Sequence, residues 1–580
     1  MCGIAGIFAY RSTSTAVSES EIEAINAQMI PRGPDAGGTW LSEDGRIGLC
    51  NRRLAIIDPS DEGVQPMWDV ERELVVVFNG EIYNHGELRA SLERRGARFH
   101  SRTDTEVLLQ LYRRDGASMV ELLRGMFAFA IWDTRARRLF VARDPYGIKP
   151  LYFADDGSVF RFASQVQALV AGGVVSRAID PAGAAGFFLT GSVPEPFTIR
   201  RDIRAVEAGT SHFVEAERGR TSERRYFSIS SVFRKAIGEK TLVEPGVFLR
   251  ERAEESMAQH LVSDVPVAFF LSAGIDSTSL ALMARKIAGT APRTFTLTFS
   301  EVSGRREDEA PLAERFARQI GAVHTSRTVS RAEFTADLPR ILAAMDQPTI
   351  DGINTWFVSK AVHEAGLKVA VSGVGGDELF GSYPSFRNVP RMVRLAQLPG
   401  VARMLQTVSR HPKASLIRSH GGTWAGAYFV QRGLFTPDDL PALLGRPEAE
   451  EGLQRLDLQE LLGRTLDPDP LTAFGRVASL EASVYLRNQL LRDADWAGMA
   501  HSVEIRTPLV DAWLLRQTAS TLVEHETDCK AALAAPLPAW LRERRKTGFF
   551  VPVRDWMDLP EDGTSTRMRS WAKHVFESIV

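Results

Sequence analysis

Phe270-Leu-Ser-Ala-Gly-Ile-Asp-Ser277 is the stretch on which the fold of this 580-residue chain turns. The apolar run 265–271 has the length and composition of a buried strand, and 278–288 carries a helical pattern. Between them, small residues make a tight loop. A strand that ends in such a loop and opens a helix points backbone N–H groups and the positive helix end at an anion, which makes it a phosphate site. The hydroxyls of Ser272 and Ser277 add donors. No Gly-Lys-Ser/Thr follows, so the loop is not of the Walker type.

Downstream, a strand at 293–299, a helix at 311–321 and a strand at 368–371 continue the alternation, which predicts a doubly wound parallel sheet. From about Arg391 the chain reads as mostly helical. Upstream the rhythm is different. Glu73-Leu-Val-Val-Val-Phe78 reads as a strand followed by the turn-prone Asn79-Gly80, and 126–132 with 138–143 reads as a hairpin across Asp133-Thr-Arg-Ala136. Thr103 with Glu106 is a capping-box signature for the helical pattern Val107, Leu108, Leu111, Tyr112. This half is expected to be an α+β domain of packed sheets. The stretch from Val206 to about Lys240 is charged and non-periodic and reads as a junction. Two domains are therefore expected, at 1–215 and 240–580, since so long a chain exceeds a single core.

A net charge of −2 gives no electrostatic footprint for nucleic acid or an anionic membrane, which points to small-molecule partners. Cys2, Cys50 and Cys529 are the only cysteines, too few for a disulfide framework or a zinc site, and suit a reducing, cytoplasmic setting. The opening reads as lacking an export signal, and the central apolar run is far short of the roughly 20 residues of a membrane helix.

Cys2 carries a second chemistry. Removal of Met1 would leave its thiol beside its own α-amino group, a base with a pKa of about 7.7–8.0. Arg32-Gly-Pro-Asp35, Arg53-Leu-Ala-Ile-Ile-Asp58, Asn79-Gly-Glu-Ile-Tyr-Asn84 and Arg102-Thr-Asp104 follow Cys2 in the order found in class II glutamine amidotransferase domains, which this half resembles. The resemblance implies an Ntn-hydrolase-like αββα sandwich in which Cys2 attacks the glutamine side-chain amide. It assigns the oxyanion donors to Asn79 and Gly80, and glutamine binding to Arg53, Asn79, Glu81 and Asp104.

Phe270–Ser277 is similar to the PP-loop of enzymes that release pyrophosphate from ATP, with Ala273 in place of the usual first glycine. Such a methyl is tolerated if φ there is negative. Val371-Ser-Gly-Val-Gly-Gly-Asp-Glu-Leu-Phe-Gly381, Arg492-Asp-Ala-Asp495, Ser502-Val-Glu-Ile-Arg-Thr-Pro508 and Arg545-Lys-Thr-Gly548 then match the glutamine-hydrolysing asparagine synthetase family in order. By that resemblance the second half is an α/β PP-loop ATP-pyrophosphatase-type sheet with added helices. ATP would bind at Leu271, Ser272, Gly274, Asp276, Ser277, Ser372 and Gly373, with Mg²⁺ on Asp276 and Asp377, hard oxygen ligands suited to that ion. Lys546 would face the adenylate or the pyrophosphate.

The implied reaction couples glutamine hydrolysis at Cys2 to amide formation. ATP activates a carboxylate as an acyl-adenylate, and channelled ammonia displaces AMP. Aspartate is the first expected acceptor; a sugar acid, peptide or specialised metabolite is the alternative. Family members of this type are often homodimers, and the sequence leaves the oligomeric state open. Studied members carry a glutamate at the position of Val374, and an aliphatic side chain takes no proton. Glu504 is the expected replacement base, with an ion pair to Arg506 or Arg492 as its structural alternative.

Overall fold

The computed structural model describes residues 2–239, 244–305, 308–398, 416–417, 420–525, 529–544, 551–558 and 568–580. Its first half holds two six-stranded antiparallel sheets face to face. In spatial order the first runs Arg204–Ala205, Tyr152–Asp155, Val159–Ala163, Cys2–Ala9, Ile47–Arg53, Ala36–Leu41. The second runs Gly219–Arg225, Thr210–Glu215, Arg138–Arg143, Gly125–Asp133, Leu74–Ile82, Met67–Trp68.

Strand Leu74–Ile82 shows why the apolar runs are continuous. Val75 and Val77 join Ile4, Phe8 and Leu49 between the sheets, whereas Leu74, Val76 and Phe78 pack under helix Asp104–Asp115. Both faces are covered, so alternation gives way to unbroken valine. Helices Glu19–Gln28 and Val166–Ala171 cover the outer face of the first sheet, completing an αββα sandwich.

The hairpin forms as expected, with Asp133 opposite Arg138. The turn expected at Asn79-Gly80 does not form: both residues continue their strand, opposite Ala128 and Phe127. Glycine is needed there for closeness, since a Cβ on Gly80 would lie 2.1 Å from Met126 O. Thr103 caps its helix by accepting from Glu106 N–H at 3.3 Å, while the Glu106 carboxylate turns back to the N–H groups of His100 and Ser101. The charged stretch after Val206 supplies the edge strand Gly219–Arg225, where exposed arginines and Glu223 blunt the sheet margin.

In the second half, five parallel strands lie in the order Val323–Val329, Arg293–Phe299, Val267–Phe270, Val369–Val371, Glu504–Arg506. Helices follow from Ser385 onward, interrupted by that last strand. No helix among the described residues is long and apolar enough to cross a membrane.

Charged pairs lock the halves together. Arg32 offers Nη1 and Nη2 to Asp495 at 2.6 and 3.0 Å while its Nε donates to the carbonyl of Cys2 at 3.2 Å. Both partners are buried. Lys368 reaches Asp35 at 2.8 Å, and Arg124 grips Asp511 at 2.7 and 2.9 Å. Removing one partner of a buried pair strands the other's charge and costs about 3–5 kcal/mol. Asp495→Ala is thus expected to lower the calorimetric unfolding temperature by about 6–20 °C, at roughly 2–4 °C per kcal/mol. An unchanged temperature would show that the interface does not rest on this pair.

Candidate active sites

Cys2 opens its strand opposite Arg53, and strand alternation puts it on the same face as Ile4, Asn51 and Arg53. Its N–H donates to Asn79 Oδ1 at 3.1 Å, joining the two sheets at the thiol. Asn79 is fully buried and its Nδ2 has no hydrogen-bond partner among the described residues. An open, fixed donor beside a nucleophile is what a tetrahedral oxyanion requires. Burial pushes the Cys2 thiol up, against the N–H of Leu54, the Asn51 amide and the charge of Arg53, which favour the thiolate.

Arg53 is held rigid: Nη1 donates to Ser60 O at 2.8 Å, and Nη2 to the carbonyls of Ile57 and Asp58. Asp104, the first residue of its helix, accepts from Ile82 N–H at 2.9 Å, and burial raises its pKa. Glu81 lies between Gly80 and Ile82. Burial, with the nearby charges of Glu504 and Asp104, pushes its carboxyl well up, and Arg506 opposes this. The predicted glutamine-site residues therefore gather at one end of the sandwich. Asn51 was missed. Its signal was an amide at the third inward position of the series Ile47, Leu49, Asn51.

The second site lies at the carboxyl ends of the parallel strands. Because Val267–Phe270 pairs with Val369–Val371, their loops emerge side by side, the usual ligand position of an open α/β sheet. They wall a cleft of about 320 Å³ lined by Leu271, Ser272, Gly274, Asp276, Ser277, Ser372, Gly373, Val374 and Asp377. All seven predicted nucleotide residues and both predicted metal ligands meet there. A Cβ on Gly376 would stand 2.4 Å from Asp276 Cγ, so only glycine lets the two loops touch. Ala273 has no positive φ, and its methyl packs with Leu271 and Phe316, which explains how the departure is tolerated.

Lys530, from helix Cys529–Ala534, bridges the acids: Nζ lies 3.2 Å from Asp276 Oδ2 and 2.7 Å from Asp377 Oδ1. The pair already accommodates a cation, and its hard carboxylate oxygens fit a Mg²⁺ ion, whose charge would offset that of phosphates. Among the described residues no group of three or more His, Cys, Asp or Glu side chains is arranged for a metal. Sequence reasoning missed Lys530, a lone lysine in an unremarked segment. It also missed Glu378, a cleft carboxyl bonded by Tyr383 at 2.9 Å and pushed up to about 8 by burial and the charge of Asp377.

Lys546 lies outside the described residues. Glu504 does not line the cleft. It pairs in the ladder with Val369, two residues before the position that adjoins the loop, and holds Arg506 Nε at 2.6 Å. Burial disfavours its charge, yet Arg506 and Lys149 help hold it down to about 2. The ion-pair alternative is the arrangement found.

Fold and sites together define a two-headed amidotransferase, with a cysteine at one end and a two-loop cleft at the other. Residues 1–227 match the glutamine amidotransferase domain family and residues 249–576 the asparagine synthase family. Glutamine-hydrolysing asparagine synthetase 1 of Bacillus subtilis is 30% identical over 100% of this chain and 90% of its own length. A Mycobacterium tuberculosis relative is 33% identical over 100% and 92%. The amidase chry2 of Gibberella zeae is 31% identical over 63% of this chain and 56% of its own. The chain belongs to the glutamine-hydrolysing asparagine synthetase family, and is an ATP-dependent ligase that forms amides with nitrogen from glutamine.

Losing one oxyanion donor typically slows turnover about 10²–10³-fold. Asn79→Ala is expected to lower kcat for glutamate release by that factor, while amide synthesis from ammonium chloride persists. Equal loss of both activities would remove Asn79 from the oxyanion role.

Proposed function

We propose that this enzyme converts aspartate to asparagine at the expense of glutamine and Mg-ATP. The observation that carries the reading is the pairing of Cys2, beside the open Asn79 Nδ2, with a two-loop cleft that gathers every described nucleotide residue. With Met1 removed, the Cys2 amine takes the thiol proton as sulfur attacks the glutamine amide carbon. Asn79 Nδ2 and Gly80 N–H hold the oxyanion, the C–N bond breaks, and ammonia leaves. Water then cleaves the thioester to glutamate. Arg53 takes the substrate carboxylate and Asp104 its ammonium.

In the cleft, an acceptor carboxylate oxygen attacks the α-phosphorus and pyrophosphate departs. Asp276 and Asp377 would hold Mg²⁺, which neutralises phosphate charge when bound. Ammonia then attacks the acyl carbon and AMP leaves. A hydrophobic cluster shared by the two halves contains Met126, Ile148, Val371 and Leu491, an apolar setting that suits neutral ammonia. Nitrogen arriving in that form needs no base at Val374 before attack.

Cys2→Ala is expected to abolish glutamine-dependent synthesis and spare the ammonia-dependent reaction. The acceptor is tested by aspartate-dependent pyrophosphate release with asparagine identified by mass. Neither product, in an enzyme that still hydrolyses glutamine, would move the search to another carboxylate. Met1 retained in an active glutaminase, seen by intact mass, would overturn the amine-assisted step.

A further inference from the structure

Arg506 touches both sites. Its main-chain carbonyl accepts from the N–H of Ser372, the residue that starts the second nucleotide loop, at 2.8 Å. Its guanidinium points the other way, toward the glutamine end. There Nη1 donates to the carbonyls of His260 and Val262 at 2.9 and 2.6 Å, and Nε to Glu504. The ring of Tyr83 lies below it, 5.6 Å from the guanidinium carbon.

Nη2 is the exception. Arg506 is fully buried, yet Nη2 has no hydrogen-bond partner among the described residues. Its neighbour Glu81 Oε2 stands 3.6 Å away, just beyond bonding distance. A buried donor left open is unfavourable, so closing this gap is favoured by the donor itself. Glu81 is flanked by Gly80, whose N–H is the proposed oxyanion donor, and by Ile82, whose N–H is held by Asp104. One residue thus links the nucleotide loop, through its main chain, to the glutamine strand, through its side chain.

We propose that Arg506 is a positioning residue that couples the two sites. Nucleotide in the cleft draws on the Ser372 loop, the ladder carries the shift into Arg506, and Nη2 closes on Glu81. That contact sets the Gly80 N–H for the oxyanion, so glutamine is hydrolysed fastest when the nucleotide cleft is filled. The inference rests on the two-site reading above.

The test uses the full-length enzyme with Mg-ATP alone as the probe. Wild-type glutaminase kcat is expected to rise several-fold with Mg-ATP. In Arg506→Lys, which keeps the charge but loses the fork, that rise is expected to fall to less than 1.5-fold while ammonia-dependent synthesis continues. Coupling of binding is reciprocal. Acylating wild-type Cys2 with 6-diazo-5-oxo-norleucine should therefore tighten Mg-ATP binding by calorimetry, a readout that needs no variant. Wild-type glutaminase indifferent to Mg-ATP, an unchanged nucleotide Kd after acylation, or a full response in Arg506→Lys would each overturn the proposal. Absent ammonia-dependent synthesis with the reciprocal Kd shift intact would sink the functional reading and support the coupling.

Discussion

The buried fork between Arg32 and Asp495 is the contact on which the two-headed arrangement depends. It is bidentate, it is closed to water, and its third nitrogen holds the carbonyl of Cys2. The residue that seats the second half against the first therefore also fixes the backbone of the proposed nucleophile. Arg and not Lys is required for such a role, because only the planar guanidinium reaches two oxygens and a third acceptor at once. Two motifs far apart in the chain, Arg32-Gly-Pro-Asp35 and Arg492-Asp-Ala-Asp495, thereby meet at one interface.

Much of the fold was legible because both halves build their cores from continuous apolar runs bounded by plain turn residues. Strand Arg293–Phe299 formed at its predicted ends, and the hairpin around Asp133 closed in register. Glu504–Arg506 was not legible: a three-residue strand containing two charges makes sense only once each charge finds the other and a partner from the opposite half. The Asn79-Gly80 pair misled for a related reason. Its local chemistry favours a turn, and the tight approach of Met126 O, which no local pattern reveals, keeps it in the strand.

The sites divide the same way. Residues that gather by loop geometry, from Leu271 to Asp377, were readable from strand–loop–helix punctuation. Those set by burial or by distant partners were not: Asn51 shows itself only by its burial beside the Cys2 thiol, and Lys530 only by the two acids it spans. Glu504 stands between the classes. Its alternative as an ion pair was visible in the sequence, and the choice was made by the ladder register that carries it away from the cleft.

Lys530 gives the cleft a resident counter-charge. Asp276 and Asp377 are never a bare pair of like charges held against their mutual repulsion, because an ammonium already lies between them. A divalent ion held by Asp276 and Asp377, as proposed above, would have to exchange with that ammonium. The lysine, tethered by its short helix, would remain as a second positive charge within the same cleft. Metal binding and release of a cationic side chain would then be one event, and the affinity for the ion a competition between the two.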